Sequence, residues 1–409
     1  MSMNTRILVG ALLGVALGLL LAKLGVEAPL YQPTLYLCSL ISGLFVSMLK
    51  MIVIPLIFSS IVVGVAQLRL HHQMHKVWRT MLVFYIFTAA ISVSLGIASI
   101  HLFKPADGLT LDMLQSAAAR ADTAHLSLGD FFSKFFTNLF SNPVAAMAQG
   151  DVLAVVMFAL LMGMALVSGG ERYRNILSLM EELFKLMMHI VDWAMRIAPF
   201  GVFALLVKLI STQQMALFVS LAKFIAVIIG TTIFHGAVVL PLIVFIFAGI
   251  NPWQFWQGAK PALITAFATS SSSATLPVTL KCLGEMKVSR DVANFVAPLG
   301  AQLNMDGTAL YEAAAALFVA SLAGIDFSVG QQLIVCLIAM IASIGAPGIP
   351  SAGMVTMIMV LQSVGLPTEA IAILLPIDRI LDTVRTVVNV EGDFAGSLVV
   401  QRFAENKVS

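Results

Sequence analysis

The chain of 409 residues is 59% hydrophobic and only 11% charged, with a formal net charge of +2 and a mean hydropathy of +0.98. Ordinary soluble domains carry about 25% charged residues, so this composition excludes a disordered chain, a fibrous repeat, a nucleic-acid-binding protein and an ordinary cytosolic enzyme. Long unbroken apolar runs, rather than apolar and polar residues in alternation, predict an all-α polytopic membrane protein instead of a β-barrel.

Apolar segments long enough to cross about 30 Å of hydrocarbon recur along the chain. The basic segment 69–79 and the basic loop 169–175 are expected on the cytoplasmic side, and the acid-rich segment between them on the outside. Both termini are then cytoplasmic, in agreement with the positive-inside rule. The predicted spans are 6–24, 35–67, 81–103, 152–168, 175–210, 218–249, 288–322 and 367–401.

Two further apolar segments are interrupted in the middle. Segment 260–286 is broken by Ser270–Ser273 and then by Pro277, and segment 333–362 is broken by GAPGIPSAG at 345–353. Each half is too short to cross a membrane, and irregular backbone at membrane depth is tolerated only inside protein or beside a cavity. The pattern therefore predicts two re-entrant helical hairpins and inverted repeats around a site near the middle of the membrane.

A polar cluster lies within the predicted span 288–322. Asn304, Asp306, Gly307 and Thr308 stand close together in it, and we expect the helix to unwind there because such residues destabilise a helix interior. Freed carbonyl oxygens together with one carboxylate suit a hard cation such as Na⁺.

The last predicted span carries a polar stripe. Asp378, Asp382, Arg385, Asn389 and Asp393 are spaced 4, 3, 4 and 4 residues apart, which places all five on one side of a helix. Ionisable groups in a membrane span face the protein interior and mark a substrate or ion pathway.

The groups on this stripe suggest a substrate. Arg385 offers a fork of donors that suits a carboxylate, and Asp382 suits an ammonium group. The serine tip, at the start of a half-helix, suits a second carboxylate. Glutamate or aspartate fits all three groups, whereas a plain dicarboxylate satisfies Arg385 and leaves Asp382 without a role.

Four motifs, SSSSATLP, NMDGTALYE, SIGAPGIPSAG and DRILDTVRTVVNVEGD, occur in an order that resembles the dicarboxylate/amino acid:cation symporters, the family of archaeal aspartate transporters and animal excitatory amino acid transporters. The resemblance covers nearly the whole chain. It implies a glutamate-transporter-like fold with eight transmembrane helices and two hairpins, and a homotrimer in the plasma membrane (the inner membrane in a bacterium).

The resemblance also implies a division of the chain into a scaffold and a mobile transport domain. The scaffold would comprise 1–70 and 126–211, and the transport domain 80–104 and 217–402. The implied activity is Na⁺-coupled symport of glutamate or aspartate by alternating access, with no catalytic residues. A proton-coupled or C4-dicarboxylate symporter of the same fold is the alternative.

The substrate site implied by the resemblance joins both hairpin tips to the last two spans. Asp382 would meet the amino group, Arg385 the distal carboxylate, and Ser272 with Asn389 the α-carboxylate. The full set is Ser270, Ser271, Ser272, Thr308, Ile349, Gly353, Asp382, Arg385, Thr386 and Asn389.

Three Na⁺ sites are implied in the same way. The first uses Gly300, Asn304, Asn389 and Asp393, the second Gln302, Ser343, Ile344 and Ala346, and the third Tyr85, Thr88, Asn304 and Asp306.

Three positions depart from the common pattern of the family. Ala89 follows Thr88 where a serine is often found, which removes one oxygen from the third site. Ser270 stands where some members have an arginine, and Arg379 is expected to supply that charge. Glu312 stands where many prokaryotic members have glutamine, which leaves both proton coupling and a packing role open.

Other classes explain less of the pattern. An intramembrane aspartyl protease would use Asp306 and Asp382 but leaves both hairpins and Arg385 unexplained. A channel also contains broken helices, yet an acid–arginine pair suits binding of a zwitterion better than rapid conduction.

Overall fold

The computed structural model describes residues 3–66, 75–111, 137, 140–149, 152–212, 215–345 and 352–405. Within these ranges all regular structure is helical, and they contain no β-strand. The prediction of an all-α fold is therefore confirmed.

The α-helices of the described ranges are numbered here in chain order. They are accompanied by a 3-10 helix at Gly170–Tyr173, a π-helix at His235–Val239 and a 3-10 helix at Thr368–Ala370. The α-helices are α1 (Met3–Leu24), α2 (Tyr31–Ala66), α3 (His75–Phe103), α4 (Pro143–Gln149), α5 (Val152–Gly169), α6 (Arg174–Thr212), α7 (Met215–Phe234), α8 (Leu240–Ala248), α9 (Pro252–Thr269), α10 (Ser272–Glu285), α11 (Arg290–Leu303), α12 (Asp306–Leu322), α13 (Val329–Gly345), α14 (Ala352–Ser363) and α15 (Ile371–Glu405).

All eight predicted spans fall on helices. In the described part of the chain, four helical stretches are long and apolar enough to cross a membrane, namely Thr5–Leu24, Lys76–Phe103, Ala154–Lys208 and Ala216–Ala248. The predicted span 218–249 comprises α7, the π-helix and α8. The fold is that of a multi-pass membrane protein, and the number of eight spans stays a prediction.

Both interrupted segments form pairs of helices that pack against each other. α9 and α10 meet at Ser270 and Ser271, and Pro277 lies inside α10 without ending it. α13 and α14 also pack together, while residues 346–351 between them lie outside the described ranges. The first break is therefore set by the serines, and the proline only removes one hydrogen-bond donor from the helix.

The helices α1, α2, α5 and α6 pack mainly on one another. On α1, Gly10 and Gly14 lie against the backbone of α6 at Pro199 and Phe203, and a methyl group at Gly14 would come within 2.7 Å of the Phe203 carbonyl oxygen. Glycine thus permits backbone contact between two membrane helices, as small residues commonly do.

α12 lies at the centre of the other helices. Nearly all of its side chains are buried, and it packs against α3, α7, α13, α14 and α15. Phe318 on α12 stacks on Phe224 of α7 with ring centroids 4.3 Å apart. This packing fixes the start of α12, where the polar cluster of the sequence lies.

Candidate functional site

The polar stripe of α15 faces the protein interior. Asp378, Asp382, Arg385, Asn389 and Asp393 are all at most 5% exposed. Charged groups are buried at this depth only when they are paired or functional. The predicted orientation of the stripe is therefore what the structure has.

Arg385 is held between two carboxylates and an aromatic ring. Its Nη2 donates to Asp378 Oδ1 at 2.7 Å and to Asp382 Oδ1 at 3.0 Å, and the guanidinium lies 4.1 Å from the centre of the Tyr311 ring. Its Nε and Nη1 have no hydrogen-bond partner among the described residues. A methyl group at Gly353, on the second hairpin, would lie 3.4 Å from Nη1. Unpaired buried donors are costly, so this group is suited to bind an anion beside the second hairpin.

Asp382 contacts a second arginine. Arg379 Nη1 donates to Asp382 Oδ2 at 3.2 Å, and the Arg379 side chain is 13% exposed. With Arg385 on the other oxygen, the carboxylate of Asp382 is bonded to two guanidinium groups. An ammonium group that approaches Asp382 must therefore compete with Arg379. Arg379 thus lies beside the predicted substrate residue Asp382, and its role in a substrate site stays a prediction.

The tip of the first hairpin lies against α15. Ser270 adopts a left-handed conformation (φ 50°), and its hydroxyl is 3.2 Å from that of Thr383, beside Asp382. Ser271 caps α10 by accepting a hydrogen bond from the Ala274 amide at 3.2 Å. Ser272 begins α10 and is buried. The tip thus places first-turn amides of a helix, which favour anions, next to the polar stripe.

The break between α11 and α12 brings together the residues of the predicted first Na⁺ site. Asn304 is extended (φ −95°, ψ 92°), which confirms the predicted unwinding. Its Nδ2 donates to the Asn389 carbonyl at 3.0 Å and to Asp393 Oδ1 at 3.3 Å. A methyl group at Gly300 would overlap the Asp393 carboxylate and the Tyr85 hydroxyl. These residues therefore lie in one cluster.

Asn389 joins this cluster to the predicted substrate residues. Its Oδ1 accepts from the Gly307 amide at 2.8 Å, and its Nδ2 lies 3.2 Å from Thr308 Oγ1. Thr386 donates to the Asp382 carbonyl at 2.8 Å and is buried on the same side of α15. The side chain of Asn389 thus contacts the start of α12, and its backbone carbonyl accepts a hydrogen bond from Asn304.

Asp306 is the centre of a second buried cluster. Thr88 donates to its Oδ1 at 3.2 Å, and Ser92 donates to its carbonyl at 2.6 Å. His235 Nε2 lies 3.2 Å from Asp306 Oδ2, and both side chains are 0% exposed. The structure thus brings Thr88 and Asp306 together and adds two residues that sequence reasoning missed.

The predicted second Na⁺ site lies between α11 and α13, which pack against each other. Gln302 donates from Nε2 to Ser273 Oγ on the first hairpin at 3.2 Å. Ser343 is buried and Ile344 is exposed at the end of α13. Ala346, and Ile349 of the predicted substrate set, lie outside the described residues. The second site therefore stays a prediction.

Glu312 is fully buried on α12, facing the second hairpin. Its Oε1 accepts a hydrogen bond from the Thr356 hydroxyl on α14, and its Oε2 has no hydrogen-bond partner in the described part of the chain. Thr356 also donates to the Gly353 carbonyl at 3.2 Å. The carboxyl group of Glu312 thus contacts the helix that would cover the substrate.

Another buried acid, Glu391, was also missed by the sequence analysis. Its Oε1 accepts from Trp256 Nε1 of α9 at 3.2 Å, and a methyl group at Gly236 would lie 2.6 Å from its Oε2. The sequence held a signal for two of the three missed residues, because His235 interrupts the apolar run 218–249 and Glu391 lies within the last span. Their partners are far away along the chain, and no local pattern identifies them.

The clusters around Asp393 and Asp306 offer mainly oxygen atoms as possible ligands of a cation. Asn304 Oδ1 is buried and has no hydrogen-bond partner among the described residues. The same residues contain no group of three or more His, Cys, Asp or Glu side chains arranged for a metal. Isolated carboxylates with amide, hydroxyl and backbone oxygens suit a hard monovalent cation better than zinc or copper.

The chain matches the family described as the sodium:dicarboxylate symporter family over residues 3–403. An excitatory amino acid transporter from Caenorhabditis elegans is 35% identical, over 88% of this chain and 80% of its own length. Mouse excitatory amino acid transporter 3 is 34% identical, over 88% of this chain and 78% of its own. A proton/sodium-glutamate symport protein from Bacillus subtilis is 32% identical, over 98% of this chain and 92% of its own.

Proposed function

Because the chain belongs to the sodium:dicarboxylate symporter family, we propose that it imports glutamate or aspartate together with Na⁺. Membership makes it a multi-pass membrane transporter of the glutamate-transporter type, and not an enzyme. The observation that carries the choice of substrate is Arg385, a buried guanidinium between an acid-rich stripe and the second hairpin, two of whose nitrogens have no hydrogen-bond partner among the described residues.

The substrate has one partner for each of its charged groups. Its distal carboxylate binds the free donors of Arg385, with support from Thr308 and the backbone near Gly353. Its amino group binds Asp382, where it displaces Arg379. Its α-carboxylate binds the amides and hydroxyls at the tip near Ser272, together with Asn389. The remaining members of the site are Ser270, Ser271, Ile349 and Thr386.

Asp382 favours an amino acid over a plain dicarboxylate. A C4-dicarboxylate would satisfy Arg385, but its uncharged carbon would leave the second oxygen of Asp382 to Arg379. Only a substrate with an ammonium group can form a new bond to Asp382 in exchange for the Arg379 contact that it displaces, so a dicarboxylate gains nothing from this acid.

Na⁺ binding is coupled to substrate binding through Asn389. An ion held by Gly300, Asn304, Asn389 and Asp393 fixes the backbone of residue 389, and the side chain of the same residue contacts Thr308. An ion at the second site binds near Gln302, Ser343, Ile344 and Ala346, and an ion at the third site binds Tyr85, Thr88, Asn304 and Asp306. The residues that contact the substrate are then held in place only when the ions are bound, so that substrate and Na⁺ cross the membrane together.

The transport domain is proposed to comprise 80–104 and 217–402, and the scaffold 1–70 and 126–211. In support, α1, α2, α5 and α6 pack mainly on one another, while α12 packs on helices of the other group. The domain moves within a homotrimer in the plasma membrane with both termini in the cytoplasm.

The specific observation that favours proton coupling is Glu312. Its carboxyl group is buried against the second hairpin with one unpaired oxygen among the described groups. The similar protein from Bacillus subtilis is named a proton/sodium-glutamate symport protein. Proton-coupled symport is accordingly the second candidate function.

Uptake of radiolabelled aspartate into proteoliposomes tests the proposal. An inward Na⁺ gradient should drive uptake, and unlabelled glutamate or aspartate should compete, while succinate should compete only at much higher concentration. Arg385→Ala should abolish aspartate binding, whereas Lys281→Met, which removes an exposed charge paired only loosely with Glu285, should not change it. Uptake driven by a pH gradient without Na⁺ would support the second candidate. Equal competition by succinate would identify a dicarboxylate carrier.

A further inference from the structure

His235 lies in the apolar span 218–249, next to Asp306. Its Nε2 is 3.2 Å from Asp306 Oδ2, and neither side chain has any exposed surface. The Nδ1 atom of His235 has no hydrogen-bond partner among the described residues. A carboxylate oxygen only accepts hydrogen bonds, so in this contact His235 is the donor, through Nε2, and Asp306 is the acceptor.

We propose that His235 is a positioning residue for the Na⁺ site at Asp306. The inference rests on the proposed Na⁺ coupling and adds a residue that does not touch the ion. By holding Oδ2, His235 fixes the plane of the carboxylate, so that Oδ1 remains beside Thr88, where the ion binds. Outer partners of ligands commonly orient them in this way.

The site depends strongly on the orientation of this one carboxylate. Position 89, directly after Thr88, is alanine and offers no side-chain oxygen. The carbonyl of Asp306 is already bonded to Ser92 at 2.6 Å. Free rotation of the carboxylate would therefore remove the only charged ligand of this site from the ion.

The π-helix explains how His235 reaches Asp306. A π-helix contains one extra residue per turn relative to an α-helix, which rotates the residues at that point to a different side of the span. The π-helix His235–Val239 begins at the residue whose side chain contacts Asp306. It also places Gly236 against Glu391, where a methyl group would lie 2.6 Å from Oε2. The segment is thus held in register from both α12 and α15, and π-helical turns are frequent at functional sites.

Three variants separate positioning from packing. His235→Leu removes the donor at similar volume, and His235→Gln keeps an N–H donor at a similar distance from the backbone. Thr232→Val is the matched control, because Thr232 lies one turn earlier on the same helix and its buried hydroxyl has no hydrogen-bond partner among the described residues. Two quantities are measured, the Na⁺ concentration for half-maximal aspartate uptake and the rise in melting temperature that Na⁺ causes without aspartate.

Loss of an outer partner typically weakens metal affinity about 10–100-fold at the site concerned. If three Na⁺ ions bind together, the half-saturating Na⁺ concentration changes by the cube root of the affinity loss at one site. For His235→Leu this is a rise of about two- to fivefold. Uptake at saturating Na⁺ should remain, and the Na⁺-induced rise in melting temperature should shrink. His235→Gln and Thr232→Val should resemble the wild type in both measurements.

The outcomes distinguish this inference from the proposed function. Wild-type protein without any Na⁺ dependence would overturn the Na⁺ coupling itself. A Na⁺-dependent wild type with an unchanged His235→Leu variant would overturn only the role of His235. If His235→Leu does not fold, His235→Gln decides, because a raised Na⁺ requirement despite the retained donor would contradict positioning. In an Asp306→Asn background, His235→Leu should cause no further change in Na⁺ dependence, and an additive change would also overturn the role.

Discussion

Arg379 should control how well the protein distinguishes aspartate from succinate. Its Nη1 lies 3.2 Å from Asp382 Oδ2, with only 13% of the Arg379 side chain exposed. We expect Arg379→Met to strengthen aspartate binding, because the substrate ammonium no longer displaces a guanidinium. Succinate has no ammonium group and does not displace Arg379, so its binding should not gain from the substitution.

The size of the effect follows from the contact. Hydrogen bonds to charged groups contribute about 1.5–3 kcal/mol, and about 1.4 kcal/mol corresponds to a factor of ten in affinity. The ratio of succinate to aspartate dissociation constants should therefore rise by about tenfold or more in Arg379→Met.

Calorimetric titration of the purified protein at saturating Na⁺ measures both dissociation constants. Arg379→Lys retains the positive charge and should shift the ratio less, while Lys281→Met removes a side chain that is 77% exposed and should leave the ratio unchanged. A ratio that stays constant or falls in Arg379→Met would refute the competition between Arg379 and the ammonium group.

Three further changes test separate parts of the structure. Gly307→Ala should abolish Na⁺-dependent uptake and lower the melting temperature, because its methyl group would lie 2.6 Å from a backbone oxygen of α15. Gly284→Ala is the control, because a methyl group there would meet open space. Normal uptake by Gly307→Ala would contradict the packing. Glu312→Gln should keep uptake driven by Na⁺ and lose any uptake driven by a pH gradient alone, and a retained proton-driven component would assign it to another group. Trp256→Phe should lower the free energy of unfolding by about 1–3 kcal/mol, because it removes the hydrogen-bond donor to the buried Glu391. An unchanged unfolding transition would show that this hydrogen bond does not contribute to stability.

Much of the site was predictable because its signals are local. The 3.6-residue period placed the stripe of α15 on one side, and its burial follows from the cost of exposing charge to lipid. Gly307 and its polar neighbours predicted the break that the structure has at Asn304 and Met305. Four consecutive serines predicted the first hairpin tip, although Pro277 proved compatible with α10.

The missed features depend on contacts between distant parts of the chain. His235 and Asp306 are 71 residues apart, and Trp256 and Glu391 are 135 residues apart. The π-helix that begins at His235 packs against α15, and its five residues, HGAVV, carry no pattern that distinguishes them from an α-helix. Only the histidine itself, alone in an apolar run, pointed to a buried partner.

Asn389 has a thermodynamic consequence for the whole transport cycle. In the proposed mechanism Asn389 contacts both the predicted Na⁺ ligand Asn304 and the predicted substrate residue Thr308, so that binding of Na⁺ and binding of the amino acid share a free energy of interaction. Linkage is reciprocal, so the factor by which Na⁺ raises the affinity for the amino acid equals the factor by which the amino acid raises the affinity for Na⁺. A carrier with this property retains its ions weakly when empty and tightly when full, which suppresses leakage of the gradient without cargo.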